Sequence, residues 1–454
     1  MAGYVAAEMV ETPWGKMEDL RARRLRPGPG ASREAVAQNQ RERLFGAMVA
    51  STATKGYRAT TITDLIALAG VSRATFYEHF EDKGECFRAT VETLIGAGLG
   101  LIRERLKGPG NPKERGERAI NSFLELAAQQ PAAAKVSLVE AYSAGPAGLE
   151  PLNGAFDEAC AVTHEALRML PNRDQTPADL SCGVIGGLHR VIYNHLYRGE
   201  EQGLLDCGEG LWRWASGYEP PEGLPKPRKA RRGSREAPPY RGRDQYERIL
   251  RGFARATAAR GFSKVTMPQV AAEAEVSNAT FYQHFENKND ALLAALDLSG
   301  AQLTAATLPG ARRAADWPEA VHWAIGSMCG FLASEPDLAK LRAVEVYAAG
   351  PEALVHRDRA WETILEELVP AEVREGQEPG RLALEASGGA IYALVYDKVR
   401  KDQLEILPQL HPLLTYIVLA PFLGGDDATR VASGGSREAA GAAGDRGPAP
   451  LAGR

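Results

Sequence analysis

The chain contains one sixteen-residue pattern twice. GVSRATFYEHFEDKGE begins at Gly70, EVSNATFYQHFENKND begins at Glu275, and ten of the sixteen positions are identical. Unrelated segments would match at about one position, since each residue type makes up roughly 5–7% of usage. The same offset, 276 − 71 = 205, relates VEAYSAGP at Val139 to VEVYAAGP at Val344. Because solenoid repeats have periods of only ~20–50 residues, we interpret this pattern as the duplication of a whole unit of more than one domain.

Composition places the chain among ordinary soluble globular proteins, with 44% hydrophobic and 25% charged residues. The net charge of −4 does not by itself indicate a nucleic-acid partner. Basic residues are concentrated, however, in RARRLRPGPGASRE from Arg21 and KPRKARRGSREAPPYRGR from Lys226, and each run precedes one copy of the pattern. These runs fit either a solvated tether or an arm that contacts DNA phosphates.

The five cysteines show no CxxC pair and no zinc-ligand spacing. We therefore predict reduced thiols, with Cys160 and Cys182 in the core, and neither a metal nor a cofactor. The N-terminus does not resemble a signal peptide, and LLTYIVLAPFL from Leu413 is too short to span a bilayer. We expect a cytoplasmic, nucleoid-associated protein with no membrane partner.

Apolar residues recur at spacings of three and four nearly throughout, which predicts an all-α protein. A segment rich in Pro, Gly and basic residues separates the two copies and is typical of a linker. The predicted domains are a flexible basic arm (1–37), a helical head (38–98), a helical body (99–217), a linker (218–242), a second head (243–303), a second body (304–424) and a disordered tail (425–454).

Each head contains the signals of a helix followed by a tight turn. Thr61 is placed to cap a helix, with Asp64 in the capping-box position three residues later. Thr266 and Gln269 repeat this arrangement in the second copy. The helix is predicted to end at Gly70, where a tight turn fits.

A second, very short helix follows this turn. Ser72 caps it, and Phe76 and Phe80 share its buried face because they are four residues apart. Two helices joined by a tight turn, the second polar on its outer face, are typical of a helix-turn-helix that reads the DNA major groove. The predicted DNA-binding residues are Thr61, Ser72, Arg73, Ala74, Thr75, Tyr77, His79 and Lys83 in the first copy, and Thr266, Ser277, Asn278, Ala279, Thr280, Tyr282, His284 and Lys288 in the second.

ATKGYRATTITDLIALAGVSRATFYEHFEDKGECF and TAARGFSKVTMPQVAAEAEVSNATFYQHFENKNDAL both resemble the DNA-binding head of the TetR (tetracycline-repressor-like) family. The resemblance covers about sixty residues per copy. It implies a transcriptional regulator, usually a repressor, that binds double-stranded DNA as a two-fold dimer and leaves it when the body binds a small molecule. Two features depart from the family: the duplication, and Glu275 where the turn usually has glycine, so that a carboxylate would lie near phosphate.

The two heads differ at the fourth position of the pattern, which is Arg73 in one and Asn278 in the other. Arginine favours guanine and asparagine favours adenine at a major-groove edge. We expect the two bodies to pair within one chain, as an intrachain pseudo-dimer that reads an asymmetric operator. A homodimer of whole chains, with four heads, is the alternative.

Aromatic side chains in the bodies are candidates for effector pockets, although aromatic residues at helical spacing more often belong to a plain core. GAGLGL from Gly96 lies within a predicted helix rather than after a strand, and the sequence contains neither HExxH nor GxSxG. We therefore predict no enzymatic activity and keep an architectural DNA-binding protein without an effector as an alternative. The pocket candidates are Tyr142, His189, Tyr193, Trp212 and Trp214 in the first body, and Trp323, Tyr347, Trp361, Tyr392 and Tyr396 in the second.

Overall fold

The computed structural model describes residues 10–25, 32–219, 245–370, 373 and 380–434. The described residues are almost entirely helical, which confirms the all-α prediction. The chain divides into two compact units, Met1–Arg213 and Trp214–Arg454.

The first unit begins with a short hairpin, β1 (Glu11–Thr12) and β2 (Gly15–Lys16), and a 3₁₀-helix (Met17–Asp19). Its head and body are formed by α1 (Arg33–Ala59), α2 (Ile62–Ala69), α3 (Arg73–His79), α4 (Lys83–Lys107), α5 (Pro112–Gln129), α6 (Pro131–Lys135), a π-helix (Val136–Glu140), α7 (Ala141–Ser143), α8 (Pro146–Arg168), α9 (Ala178–Arg198), a 3₁₀-helix (Glu201–Cys207) and α10 (Gly208–Ser216), whose last three residues belong to the second unit.

The second unit repeats the order of the first. It consists of α11 (Gln245–Arg260), α12 (Met267–Glu273), α13 (Asn278–His284), α14 (Lys288–Ala311), α15 (Trp317–Ser334), α16 (Pro336–Ala343), a 3₁₀-helix (Glu345–Ala349), α17 (Pro351–Leu368), α18 (Gly380–Arg400), a 3₁₀-helix (Leu404–Ile406), α19 (Leu407–Leu423) and α20 (Gly425–Ala432).

In the first unit, the head and part of the body share one hydrophobic core. Leu44, Phe76 and Phe87 of the head lie in the same cluster of buried side chains as Val136 and Leu152 of the body. Since burial of apolar surface is the main stabilising term in folding, the head is held to the body by the core itself and not by a flexible connection.

The prediction of a flexible arm over 1–37 is wrong for residues 10–25. This segment forms the hairpin and places Leu20, which is fully buried, against Gly46 of α1. A side chain at Gly46 would meet Leu20 Cδ2 at 2.6 Å, so the glycine makes room for the leucine. The apolar side chains of Val10, Trp14 and Leu20 explain why the segment packs in spite of its basic composition.

The predicted boundaries of the linker and the tail also need correction. Tyr218 is buried in the second unit, where its hydroxyl donates a hydrogen bond to the carbonyl of Ile417 at 3.0 Å. Gly425–Ala432 forms a helix whose Ala428 and Val431 are buried, so this part of the expected disordered tail is folded. The rest of the predicted linker, 220–242, and of the predicted tail, 435–454, lies outside the described residues, as do the first two residues of the predicted second head.

Cys160 on α8 and Cys182 on α9 are joined in the structure by a disulfide. The prediction of reduced thiols at these two positions is therefore wrong, because neighbouring helices bring cysteines together that are 22 residues apart in the sequence. Cys86 and Cys329 are buried and free.

Two helical segments, Lys288–Ala311 and Leu404–Leu423, are long and apolar enough to cross a membrane by length and composition alone. Half of each apolar window is buried inside the protein. Both segments pack against neighbouring helices of the second unit, α14 against α15 and α17, and α19 against α15 and α18.

Candidate nucleic-acid interface

The helix before each turn begins with the predicted capping box. The amide of Asp64 donates to Thr61 Oγ1 at 3.3 Å, and Asp64 Oδ2 accepts from the amide of Thr61 at 2.8 Å. Lys55 lies 2.6 Å from the same carboxylate, and hydrogen bonds from Lys55 and Thr61 lower the pKa of Asp64 to about 2. In the second head, Gln269 Oε1 accepts from the amide of Thr266 at 3.0 Å. The two heads therefore use a charged and a neutral version of one cap.

The two turns have the same backbone conformation although their residues differ. Gly70 has φ 61° and ψ 42°, and Glu275 has φ 55°. Both values lie in the left-handed region, which glycine adopts freely and other residues adopt at a cost. The second head therefore forms the same turn as the first although it has Glu275 in place of glycine, and the backbone is locally strained at this residue.

The short helices α3 and α13 project the predicted recognition residues into solvent. Ser72 Oγ accepts from the amide of Thr75 at 3.0 Å, and the capping bond from Thr280 to Ser277 has the same length. Phe76 and Phe281 are fully buried and fix the orientation of the two helices. The remaining predicted residues on their outer faces are exposed or half-buried: Arg73, Ala74 and Tyr77 on α3, and Asn278, Ala279, Tyr282 and His284 on α13.

Arg73 and Asn278, which occupy equivalent positions on α3 and α13, are held differently in the two heads. Arg73 Nη2 donates to Thr63 Oγ1 at 3.2 Å, across the turn from α3 to α2. Pro268 occupies the position 205 residues after Thr63 and has no hydroxyl to offer Asn278. Arg73 is thus oriented by the protein before any DNA is bound, which lowers the entropy lost on binding.

Lys83 and Lys288 have backbone partners within their own heads. Lys83 Nζ donates to the carbonyls of Tyr57 and Thr60, both at 2.9 Å, and Lys288 Nζ donates to Phe262 at 3.0 Å. Burial lowers the pKa of Lys83. Their predicted role in DNA binding stays a prediction, and the structure adds a second role, which is to tie the start of the fourth helix of each head to the end of its first helix.

The two motif histidines have different surroundings. His79 Nε2 lies 2.9 Å from Gln40 Oε1 on α1, and burial lowers its pKa, which favours the neutral imidazole. His284 is exposed, and its ring lies 5.8 Å from that of Tyr246, measured between centroids. The hydrogen bond of His79 positions α3 on α1, and the DNA contact of His284 stays a prediction.

In the first body the structure brings together three predicted pocket residues. The ring of Tyr142 lies 6.0 Å from that of His189 and 6.1 Å from that of Tyr193, and its hydroxyl lies 3.5 Å from His189 Nε2. Burial lowers the pKa of His189 to about 4, so the imidazole is neutral at pH 7. We name these three residues the first aromatic cluster.

The second body contains the corresponding cluster with one charged addition. The hydroxyls of Tyr347 and Tyr392 lie 2.5 Å apart, and the Tyr396 ring stacks on that of Tyr392 at 6.4 Å. Arg357, which is buried, donates to the Tyr392 hydroxyl at 3.0 Å. Leu152 stands 205 residues before Arg357. We name Tyr347, Tyr392, Tyr396 and Arg357 the second aromatic cluster, which differs from the first by a buried guanidinium.

Two of the four predicted tryptophans, Trp214 and Trp323, have neighbours outside these clusters. Trp214 is buried in the second unit, where its Nε1 donates to Ser387 Oγ at 3.3 Å, so its assignment to the first body is wrong. Trp323 is 51% exposed and donates to Glu319 at 3.3 Å, and its pocket role stays a prediction. Trp212 packs on Gly116, and the Trp361 ring approaches Gly388. All four were selected by residue type alone.

A groove of 470 Å³ lies between α14 and α17, and no residue of the second aromatic cluster is among those that line it. Its floor is formed by small and apolar side chains such as Ala301, Ala305 and Leu308. Polar contacts lie at its ends: Asp297 Oδ1 is 2.8 Å from His356 Nδ1, and Arg312 forms an ion pair with Glu367. None of the predicted pocket residues is among those that line it.

Sequence reasoning missed the role of two acidic residues, Glu140 and Glu345. Glu140 Oε2 accepts from the amide of Tyr57 at 3.0 Å, and Glu345 Oε2 accepts from the amide of Phe262 at 2.7 Å. Both glutamates belong to the repeated V-E-x-Y-x-A-G-P pattern. A charged residue repeated within an apolar stretch was the available signal, but its partner lies 83 residues away in each copy.

Comparison with known proteins supports the assignment of the heads. A family model described as bacterial regulatory proteins, tetR family, matches residues 47–90 and 249–296, within the two predicted heads. No curated protein matches the chain.

Two solved structures resemble part of the chain. One is the fatty acid degradation regulator FadR from Bacillus halodurans, at 21% identity and a TM-score of 0.36, covering 38% of this chain and 97% of that one. The other is the transcriptional regulator FadR from Bacillus subtilis in complex with stearoyl-CoA, at 21% identity and a TM-score of 0.35, covering 38% and 98%. At these TM-scores, neither likeness supports an inference about a ligand of this chain.

Proposed function

Because the chain belongs to the tetR family of bacterial regulatory proteins and carries the family's DNA-binding domain twice, we propose that this transcriptional regulator binds one asymmetric operator with two unlike heads of a single chain. The observation that carries the proposal is the difference between Arg73 and Asn278 at equivalent positions of the two recognition helices, which differ in addition only at Glu78 and Gln283. Guanine and adenine are the preferred partners of these two side chains in the major groove.

The residues that end the first copy are anchored in the second unit. The hydrogen bonds of Trp214 to Ser387 and of Tyr218 to Ile417 attach the end of the first copy to α18 and α19. The hydroxyl of Tyr416 donates to the carbonyl of Glu219. The first copy thus ends inside the second unit.

A small molecule that releases DNA is the second part of the proposal. The two aromatic clusters support it, because each groups hydroxyl and imidazole or guanidinium groups with rings inside a helical body, as small-molecule sites do. Their chemistry differs, with Leu152 in the first body where the second has Arg357. We therefore expect the two bodies to bind different molecules, or only one of them to bind a ligand.

The test is to select binding sites from random duplex DNA with the full-length chain, followed by footprinting and mass measurement of the complex. We expect one chain to protect two unlike half-sites about one helical turn, ~34 Å, apart. A palindromic site would refute the asymmetric operator. Protection of four half-sites by a two-chain particle would support the four-headed homodimer, and salt-insensitive or absent DNA binding would refute the regulator itself.

A further inference from the structure

One backbone residue in each copy joins the body, the head and the fourth helix. In the first copy this residue is Tyr57: its amide donates to Glu140 of the body, and its carbonyl accepts from Lys83 at the start of α4. In the second copy Phe262 has the same two bonds, to Glu345 and Lys288. The arrangement recurs although the side chain at the junction changes from tyrosine to phenylalanine.

A left-handed glycine precedes each junction and presents its amide to the body. Gly56 has φ 80° and Gly261 has φ 83°, and Gly56 interrupts the helical geometry of α1. The amide that follows such a residue has no partner within the helix. Glu140 is 7% exposed, so its bond to this amide lies in a largely apolar contact between head and body. Burial raises the pKa of Glu140 and of Glu345, because removal from water destabilises the charged form of each carboxylate.

The glutamates lie on irregular backbone next to the aromatic clusters. Glu140 ends a π-helix, and Glu345 begins a 3₁₀-helix at the corresponding place. Such departures from α-helical geometry often mark functional sites and hinges. Tyr142 and Tyr347 follow the glutamates by two residues and belong to the first and second aromatic clusters. A displacement of either tyrosine is therefore transmitted to the glutamate over a single turn of backbone.

We propose that Glu140 and Glu345 are positioning residues that couple each aromatic cluster to its own DNA-binding head through the amides of Tyr57 and Phe262. The inference rests on the proposed function, since it supplies the link between a small molecule in the body and the position of the recognition helix. A ligand that moves Tyr142 or Tyr347 withdraws the carboxylate, and the junction that holds the start of α4 or α14 is released. Each head has a separate link, so the two half-sites can be released separately.

The test compares Glu140→Ala with its matched control, Glu345→Ala, in the full-length chain on the selected operator. We expect about tenfold weaker binding for each variant, from the loss of one charge-assisted hydrogen bond. Glu140→Ala should weaken protection only at the half-site contacted by the first head, and Glu345→Ala only at the other. Glu140→Gln keeps an oxygen acceptor and should restore binding to within about threefold of the wild type. Equal loss at both half-sites, no loss, or failure of the glutamine variant to restore binding would overturn the proposal.

A double-mutant cycle separates coupling from a structural role. Tyr142→Ala should alter DNA affinity in the wild-type background and have no further effect in Glu140→Ala. Additive effects would contradict the coupling. Hydrogen exchange at the amide of Tyr57 is a readout that does not depend on DNA: its protection should fall in Glu140→Ala and persist in Glu345→Ala. If the wild type fails to bind DNA, the proposed function fails, while this exchange measurement still decides whether the link exists.

Discussion

Gly70 and Glu275 share one left-handed backbone conformation, with φ of 61° and 55°, at equivalent turns before the two recognition helices. A residue with a Cβ atom pays about 1–2 kcal/mol for this conformation relative to glycine. We expect Glu275→Gly to stabilise the second head by about 1 kcal/mol, and to strengthen DNA binding by removing a carboxylate from the turn. Chemical denaturation of the full-length chain and a salt titration of DNA binding measure the two effects.

The reverse substitution is the control. Gly70→Glu should destabilise the first head by more than Glu275→Gly stabilises the second. The new side chain would adopt the same unfavourable φ, and its Cβ would also lie only 2.5 Å from Arg21 Cγ. If Glu275→Gly is neutral or destabilising, the strain at this turn is relieved elsewhere in the second head.

Leu20→Ala tests whether the N-terminal segment is part of the first head. Leu20 is fully buried against Gly46, so we expect the substitution to lower the free energy of unfolding by about 2–5 kcal/mol. Leu25→Ala is the matched control, since Leu25 is exposed and its loss should change stability by no more than about 0.5 kcal/mol. Equal effects of the two substitutions would show that residues 10–25 do not stabilise the first head and act only as a tether.

The sequence predicted those parts of the heads that depend on local chemistry. The caps at Thr61 and Ser72 and the buried face at Phe76 follow from spacings of three or four residues, and all are confirmed. Contacts between distant residues could not be predicted, because nothing in the local pattern names the partner. The packing of Leu20 and the bond of Glu140 to the head are of this kind, and each required the folded chain.

The capping boxes predict a difference in the response of the two heads to acid. The pKa of Asp64 is depressed to about 2, below the value of about 3.9 in unfolded chains. A carboxyl with a lowered folded-state pKa stabilises the fold above its unfolded pKa, and this stabilisation is lost as the pH falls towards 2. Gln269 does not titrate, so α12 should keep its cap over the pH range in which Asp64 becomes protonated and α2 loses its cap.

Hydrogen exchange in α2 and α12 between pH 5 and 2.5, corrected for the intrinsic rates, measures this difference. We expect the protection of α2 to fall relative to that of α12. The full loss of a cap corresponds to about 1 kcal/mol, and the half-exposed side chains of Asp64 and Lys55 reduce the part due to their ion pair. Asp64→Asn should remove the difference in pH dependence, and parallel curves for the wild-type helices would contradict the assignment.

Substitution of Arg73 and Asn278, each by the residue found in the other head, tests the asymmetry of the operator. Arg73→Asn gives both recognition helices asparagine at the fourth position of the pattern, so the selected site should shift from unlike halves towards a palindrome. We expect the base opposite this position in the first half-site to change from guanine to adenine, with discrimination of about 1–3 kcal/mol. Asn278→Arg is the reciprocal variant and should make the site symmetric with guanine in both halves.

A third variant separates base reading from orientation of the side chain. Thr63→Ala removes the hydroxyl that accepts from Arg73 at 3.2 Å, but leaves the arginine in place. It should weaken binding to the first half-site without changing the preferred base, because orientation affects affinity and the guanidinium determines the partner. If Arg73→Asn and Asn278→Arg both leave the selected site unchanged, the difference between the heads at this position does not encode the operator, and other residues of α3 and α13 must read the bases.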